Sequence, residues 1–408
     1  MITDIQRTKP IKESHQGISI IIAFALIPLS GFATDIYLPS LPAMASDLHV
    51  RNIEVQLTLT IFLISYGVSQ LFIGSILDSF GRHKPGLIAL IIFAVASIVI
   101  ATTHNIYIIY GMRVIHGAAV AAVVVGKRAY FVDLFTGDRL KNYLSWFTIV
   151  WSTGPIVAPF IGGYFQTAFG WQSNFYFLAA FAVLLAILEY LFSGETIKYI
   201  AGFDLKKIVT VYGDMIRTSS FMLGLVMLGL SYCMVIVYNL TGPFIIEHHL
   251  HLTPVIAGYS SLILGFAWMV GGFIGKATID RPFFKKLLVN LGLQVVFVAA
   301  MIISLGFMEN VYSLLFFAFI IHVAAGYTFN NYFTYSMSKF PKHAGIASGL
   351  TGGITFVITS ILSYGIVYLV PAKDAHNLSY SYLILTLLSA LVMFVIFKVN
   401  QKSILLTS

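Results

Sequence analysis

Residues 74–85 read GSILDSFGRHKP, a polar interruption in an otherwise almost continuously apolar chain. Of 408 residues, 58% are hydrophobic, 15% aromatic and 10% charged, where a soluble domain carries about 25% charged residues. Mean hydropathy is +0.90. Such a composition cannot be folded around one aqueous core, and it dictates an integral membrane protein. The polar stretch is then a connection between two membrane spans, and its glycines, acid and bases need a reason of their own.

The formal charge of +8 does not point to nucleic acid. The basic residues are scattered between apolar segments, without an arginine-rich patch or an aromatic-lined groove. Cys233 is the single cysteine, so an intrachain disulfide and a Cys/His metal cluster are both excluded, and packing is its expected role. Residues 1–17 are polar and basic (Arg7, Lys9, Lys12). The apolar run after them is longer than a signal-peptide core and is expected to be an uncleaved first span.

A membrane helix needs about 20 apolar residues. Twelve candidates meet that length: 17–42, 53–77, 86–103, 106–127, 142–166, 173–193, 219–246, 254–277, 286–307, 311–336, 344–370 and 380–398. An even number puts both termini on one side. Taking that side as cytoplasmic leaves, of the 24 basic residues, only Arg51 and Lys373 on outer loops and Arg113 inside the membrane. This asymmetry is the positive-inside pattern. The expected organisation is a cytoplasmic tail 1–16, a six-helix bundle 17–193, a linker 194–218, a second bundle 219–398 and a tail 399–408. Within the linker, Leu205, Ile208, Val209, Tyr212 and Ile216 recur at helical spacing opposite Lys206, Lys207 and Arg217, the pattern of an interfacial helix.

The two halves echo each other. Asp35 and Asn239 each stand four residues before a proline, His116 (HGAAV) is matched by His322 (HVAAG), and Gly74 before Asp78 is matched loosely by Gly275 before Asp280. All three offsets lie close to half of 408. Duplicated halves are a recurrent plan of secondary transporters.

A charge near the bilayer centre costs roughly 2.5 to 3.5 kcal/mol on insertion scales, so intramembrane ions are functional candidates. Asp35 lies seven residues before Pro42 and Arg113 seven after Ile106, both counted from outer span ends. At 1.5 Å per residue both sit about 10 Å deep and can face each other. Burial opposes the ionised form of a carboxyl and a nearby guanidinium favours it, so separating such a pair would allow proton uptake. The alternative is an interfacial acid and a packing arginine. His116, one turn from Arg113, is either a proton relay or a hydrogen-bonded structural histidine. Glu54 and Glu189 stand near span ends and are expected at the interface, with no second carboxylate deep in any other span.

In the opening stretch, Asp78 falls at a helix C-terminus, where the dipole disfavours an acid. Arg82 and Lys84 offer compensating charge, Gly81 a tight turn, and Gly74 close approach of a neighbouring helix. These residues are either a solvated turn or a cytoplasmic latch that holds one conformation. The order G-x-x-x-D-x-x-G-R-x-K closely resembles the signature loop of the major facilitator superfamily. RVIHGAA, with Arg113 and Gly117, is similar to that superfamily's R-x-x-Q-G motif in span 4, with His116 in place of glutamine. GPIVAPFIGG, with Gly154, Pro155, Pro159, Gly162 and Gly163, resembles the span 5 motif of its proton-driven drug exporters, altered by Ala158-Pro159. ATDIYLPSLP together with DSFGR resembles the Bcr/CflA-type branch of bacterial drug exporters.

The resemblance implies an all-α fold of two six-helix bundles, alternating access, a central cavity lined by spans 1, 4, 7 and 10, and drug/proton antiport. It implies Asp35 and Arg113 as the proton-coupling pair, and Asp78 with Arg82 as the cytoplasmic gate. The second acid that some relatives carry two turns earlier is replaced by Ile27, a departure that sets this chain apart from tight binders of cationic drugs. By symmetry, Tyr37, Tyr232, Tyr238, Asn239, Tyr327, Asn330 and Asn331 are candidates for an apolar cavity wall with scattered hydrogen-bonding groups; each is alternatively a packing residue. The expected protein is a monomeric bacterial inner-membrane exporter, driven by the proton gradient without cofactor or metal, with lipid, protons and a small amphipathic compound as its partners. A carrier of a metabolite, nucleoside or siderophore, including an importer, is the same-fold rival. A membrane enzyme or sensor is the rival from another class, and HExxH, Gly-x-Ser-x-Gly, P-loop and appended soluble domain are all missing.

Overall fold

Apolar stretches of this length satisfy their backbone in lipid as helices, and the described residues contain twelve helices long and apolar enough to cross a membrane. The computed structural model describes residues 11–197, 205–340 and 344–405. Arg7, Lys9, Lys198 and Lys342, four of the expected topology signals, lie outside the described residues, as do residues 1–10 and 406–408 of the expected tails. Spans 2 to 6 are Asn52–Phe80, His83–Thr102, Ile106–Leu134, Gly137–Phe169 and Gln172–Phe192. Spans 7 to 10 are Ser219–His249, Pro254–Ala277, Phe283–Leu305 and Val311–Ser338. Spans 11 and 12 are Ala344–Leu369 and Ala375–Leu405. Several helices thus run further into the polar connections than hydropathy reads, span 12 to Leu405 rather than 398.

Span 1, Glu13–Asp47, is broken. It consists of helices Gln16–Leu26 and Leu29–Asp35, a short turn Leu38–Ser40, and helix Leu41–Asp47. Pro28, Pro39 and Pro42 lack the amide hydrogens that would continue the ladder, and their rings crowd the preceding turn. Asp35 is consequently the last residue of a helical segment, beside carbonyls released from intrahelical bonding.

The chain divides into units Met1–Leu205 and Lys206–Ser408. In the first, span 2 packs on span 4, span 1 on span 5, and span 3 on spans 4 and 6. In the second, span 8 packs on span 10, span 7 on span 11, and span 9 on spans 10 and 12. Adding six to every number of the first set gives the second, so duplication extends from sequence to packing. The ends of spans 1 and 7 repeat it in backbone detail. His49 and His251 both take φ of 54°, a left-handed conformation that histidine tolerates better than most residues. Each is followed by a residue whose amide reaches back to the helix end, Val50 to Ala45 at 3.0 Å and Leu252 to Ile246 at 2.9 Å.

Lipid-facing and packed faces alternate at helical period. In span 3, Ile88, Ile91, Ile92, Val95 and Ile98 are exposed while Leu90, Phe93, Ala94, Ser97 and Ile100 are buried. A stripe of five exposed β-branched residues would be an aggregation site in water; here it is the surface offered to acyl chains. The linker helix Leu205–Arg217 leaves Val209 and Ile216 exposed and buries Met215.

Candidate functional site

Arg113 is fully buried, and everything around it offsets the desolvation of a guanidinium. Its Nη1 donates to the Ala33 carbonyl at 2.9 Å and its Nε to the Thr58 carbonyl at 3.3 Å. Nη2 donates to Tyr37 Oη at 3.2 Å. The cation also lies over two ring faces, 4.7 Å from the Tyr37 centroid and 4.4 Å from that of Phe62. The Ala33 bond answers the break in span 1, because that carbonyl stands in the last turn before Asp35.

Two hydroxyl chains lead outward from this cation. Thr58 Oγ1 donates its hydrogen to the Val55 carbonyl at 2.6 Å, so Tyr37, 3.0 Å away, donates to Thr58 while accepting from Arg113. Ser97 donates to the Phe93 carbonyl at 2.8 Å. It therefore accepts from His116 Nε2 at 3.0 Å, which leaves Nδ1 as the acceptor for Arg113 Nη1 at 3.3 Å. His116 is thereby assigned as the neutral Nε2–H tautomer, stacked on Phe93 at 4.3 Å. Asp35, itself buried, lies within Coulombic reach of Arg113. Arg113 thus reaches span 1 on both sides of Asp35, at the Ala33 carbonyl and the Tyr37 hydroxyl, with Thr58, Ser97 and His116 completing the buried cluster.

Span 5 supplies the support behind the broken span 1. It stays helical through Pro155 and Pro159, and its small residues let backbone touch backbone. A methyl on Gly31 would come within 2.5 Å of Pro155 Cδ, one on Gly154 within 2.9 Å of the Pro28 carbonyl, and one on Gly162 would collide with the Ile36 carbonyl. Gly163 is buried beside it, its carbonyl accepting from Thr167 at 2.9 Å. These glycines therefore fix where Asp35 sits. Gly162→Ala is expected to lower stability by roughly 3 kcal/mol or more, because neither backbone can retreat. Gly111→Ala, at a helical glycine with open space around it, is expected to be neutral or to stabilise by up to about 1 kcal/mol. Thermal melting of both variants in detergent checks the contrast.

At the far end of span 2 the opening motif forms an ion-pair and hydrogen-bond network. Gly81 has φ of 89°, a conformation that strains any residue with a Cβ. The turn aims Arg82 at two acids, Asp78 at 3.1 Å and Asp133 of span 4 at 2.5 Å. Glu195, from the segment after span 6, caps the start of span 3: it accepts from the Arg82 amide at 3.0 Å and the His83 amide at 3.1 Å. Thr196 ties the same segment to Asp133 at 2.9 Å. The close approach expected at Gly74 is not made in this bundle, since a Cβ there would meet only Val125 Cγ1, at 3.9 Å. Asp133 and Glu195 had no mark in the sequence, being ordinary acids next to span ends until the fold brings them to Arg82.

In the second bundle His322 repeats His116. It is buried, 3.0 Å from Tyr382 Oη and perpendicular to the Tyr238 ring at 5.8 Å. Tyr238 and Asn239 are buried in span 7. Tyr232 sits among Trp268, Phe329 and Phe356 at 5.7 to 6.2 Å. Tyr327 Oη is 3.1 Å from Thr278 Oγ1, and Asn331 donates to the Tyr327 carbonyl at 2.9 Å. Asn330 and Asn331 flank Gly275, where spans 8 and 10 cross.

The Major Facilitator Superfamily profile matches residues 23–364, most of the chain and parts of both bundles. The chain belongs to the Major Facilitator Superfamily. It is 26% identical over 354 residues to Multidrug resistance protein D of Escherichia coli, covering 84% of this chain and 87% of that protein. Over 170 residues it is 37% identical to a bicyclomycin resistance protein homolog of Haemophilus influenzae, 42% of this chain and 43% of that one. The solved D-xylose–proton symporter superposes with a TM-score of 0.68 at 15% identity, over 92% of this chain and 97% of its own, a likeness of fold. The superfamily's members are membrane transporters, not enzymes, and the relatives place this chain beside its drug-resistance branch.

One feature of this superfamily member differs from the sequence expectation. Glu189, near the end of span 6, is packed inside the bundle and not solvated: it is 3% exposed, paired with Lys127 of span 4 and 3.5 Å from His83 Nδ1 of span 3. Lys127, expected among the inner-loop charges, is likewise buried. Beside them Tyr130 donates to Ser19 at 2.8 Å and Ser19 meets Ser193 at 2.8 Å, closing a polar core between spans 1, 3, 4 and 6. The hydropathy window failed because a lysine and a glutamate near helix ends look solvated one at a time. Their mutual neutralisation requires knowing that spans 4 and 6 meet.

Proposed function

We propose that this transporter is a proton-coupled exporter of small amphipathic compounds, working by alternating access in a bacterial inner membrane with both termini cytoplasmic. The observation that carries the reading is the buried carboxyl of Asp35 within Coulombic reach of the buried Arg113, at the end of a helix segment cut by prolines. A carboxylate facing a guanidinium is held by attraction; a protonated one is not. Proton uptake by Asp35 therefore loosens span 1 from span 4, and compound binding that restores the contact expels the proton. Coupling of this kind needs no cofactor, only the proton gradient. His116 keeps Arg113 oriented, and the Asp78–Arg82–Asp133 latch with its Glu195 cap stabilises one conformation from the other end of the bundle.

Export rather than import is favoured by the names of the relatives, two of them resistance proteins. An apolar Ile27 buried one helical segment before Asp35 favours neutral over cationic cargo, and a monomer suffices for the mechanism. The test is substrate-induced proton release from purified protein in detergent near pH 7, screening chloramphenicol-like, cationic and nucleoside compounds. Saturable release evoked by a neutral amphipathic compound is expected. Binding without release would overturn proton coupling, and release evoked only by nucleosides would move the chain to the metabolite carriers.

A further inference from the structure

Four metal-binding side chains converge at one end of the second bundle from three separate connections. His249 ends span 7, Glu309 lies between spans 9 and 10, and Asp374 and His376 stand at the entry to span 12. The donor atoms of Glu309, Asp374 and His376 all lie within 4.8 Å of one another. His249 Nε2 is 3.0 Å from Glu309 Oε1, and His376 Nδ1 is 4.0 Å from the same oxygen. We propose that His249, Glu309, Asp374 and His376 form a site for a divalent transition metal of the zinc class, which clamps the ends of spans 7, 10 and 12.

The donor set is the first reason. Two imidazoles and two carboxylates are what zinc accepts in a four-coordinate site, and their formal charge of two negatives equals the charge of the ion. Geometry is the second. Bonds of about 2.0–2.1 Å in a tetrahedron put neighbouring donors about 3.3 Å apart. The His249–Glu309 pair is already near that separation; the donors of Glu309, Asp374 and His376, within 4.8 Å of one another, close by up to about 1.5 Å, and His249, placed by its contact with Glu309, rotates toward them. Those rotations are open to them, because the side chains of His249, Glu309 and His376 are 36%, 26% and 28% exposed, packed enough to converge and open enough for an ion to enter.

The third reason is the supporting shell, which orients ligands and sharpens affinity. Glu309 Oε1 accepts from the Ala375 amide at 3.1 Å, and Asp374 Oδ1 accepts from the Asn377 amide at 2.8 Å. Asn377 in turn donates to the Pro371 carbonyl at 2.7 Å, which pins the loop that carries Asp374 and His376. Two carboxylates are thus held close together by backbone amides at a helix N-terminus. Among the described residues the ionic partners of Glu309 are histidines, groups that turn a lone pair to a metal once neutral, as lysine or arginine near pH 7 would not.

The experiment uses the full chain, purified through a tag without histidines, stripped with EDTA and titrated with Co²⁺ as a spectroscopic stand-in for Zn²⁺. One Co²⁺ per chain is expected, with visible absorption of a four- or five-coordinate site that Zn²⁺ abolishes by displacement. Saturating Zn²⁺ should also raise the melting temperature. In His249→Gln and His376→Gln the affinity should fall at least ~10-fold, the loss typical of removing even a supporting partner. Metal-free melting of each variant, expected to match the wild type, separates a lost ligand from a lost fold, and Asn377→Ala supplies a second route by weakening the loop without touching a ligand. Absence of saturable binding by the wild type, or binding unchanged in both histidine variants, would overturn the site. Neither outcome bears on proton release at Asp35, so the two readings fail independently.

Discussion

Asp35→Asn is expected to bind the compounds that the wild type binds and to release no proton on binding them. Asparagine keeps the shape and the polarity of the site but has no ionisable proton. The hydrogen bonds of Arg113 to Ala33, Thr58, Tyr37 and His116 do not involve the substituted side chain. The fold should therefore survive, at a cost of about 3 kcal/mol for leaving the buried guanidinium without its counter-charge. Gradient-driven transport should drop to background while exchange of compound down its own gradient continues. The measurement is a pair of traces on one preparation, binding by fluorescence or calorimetry and proton release by a pH indicator in weak buffer. Binding with the release intact would assign the exchanged proton to another group, and the buried Glu189 would be the next candidate.

Much of the architecture was legible in residues taken one at a time or in short runs. Twelve spans follow from hydropathy, and duplication from Asp35/Asn239 and His116/His322. Asp35 and Arg113 were legible because a charge in lipid announces itself. The partners that complete the site were not. In the sequence Tyr37 is marked only as a cavity-wall candidate and Thr58 not at all; that they bond each other and Arg113 depends on the prolines that break span 1. Glu195 is far from Arg82 in sequence, and nothing in a linker acid indicates that it caps span 3. His249, Glu309 and His376 are spread over three connections whose closeness is a property of the folded bundle. What sequence conveys well is the preference of a residue for lipid or water, a one-body quantity; what it conveyed poorly here are pairs.

Arg113→Lys should destabilise the protein by several kcal/mol, although lysine keeps the charge. The guanidinium serves acceptors in four directions at once: Ala33 and Thr58 carbonyls, Tyr37 Oη and His116 Nδ1. It does so as a flat plate that also covers the rings of Tyr37 and Phe62. An ammonium is a point donor with three hydrogens and no plane, so it must abandon at least one buried acceptor and both stacking contacts. Each abandoned acceptor costs about 1–3 kcal/mol, and the aromatic contacts add about 1 kcal/mol. A loss of about 2–4 kcal/mol for lysine follows, against at least about 5 kcal/mol for methionine, which strands all four acceptors and leaves Asp35 without its counter-charge. The discriminating measurement is the double variant. With Asp35→Asn also present, Arg113→Met should recover a few kcal/mol, because the acid no longer needs a cation, whereas Arg113→Lys should recover less, because its ammonium is now the uncompensated charge. Equal recovery in both would mean that Asp35 and Arg113 do not feel each other in the membrane, and the coupling scheme built on their attraction would fall with it.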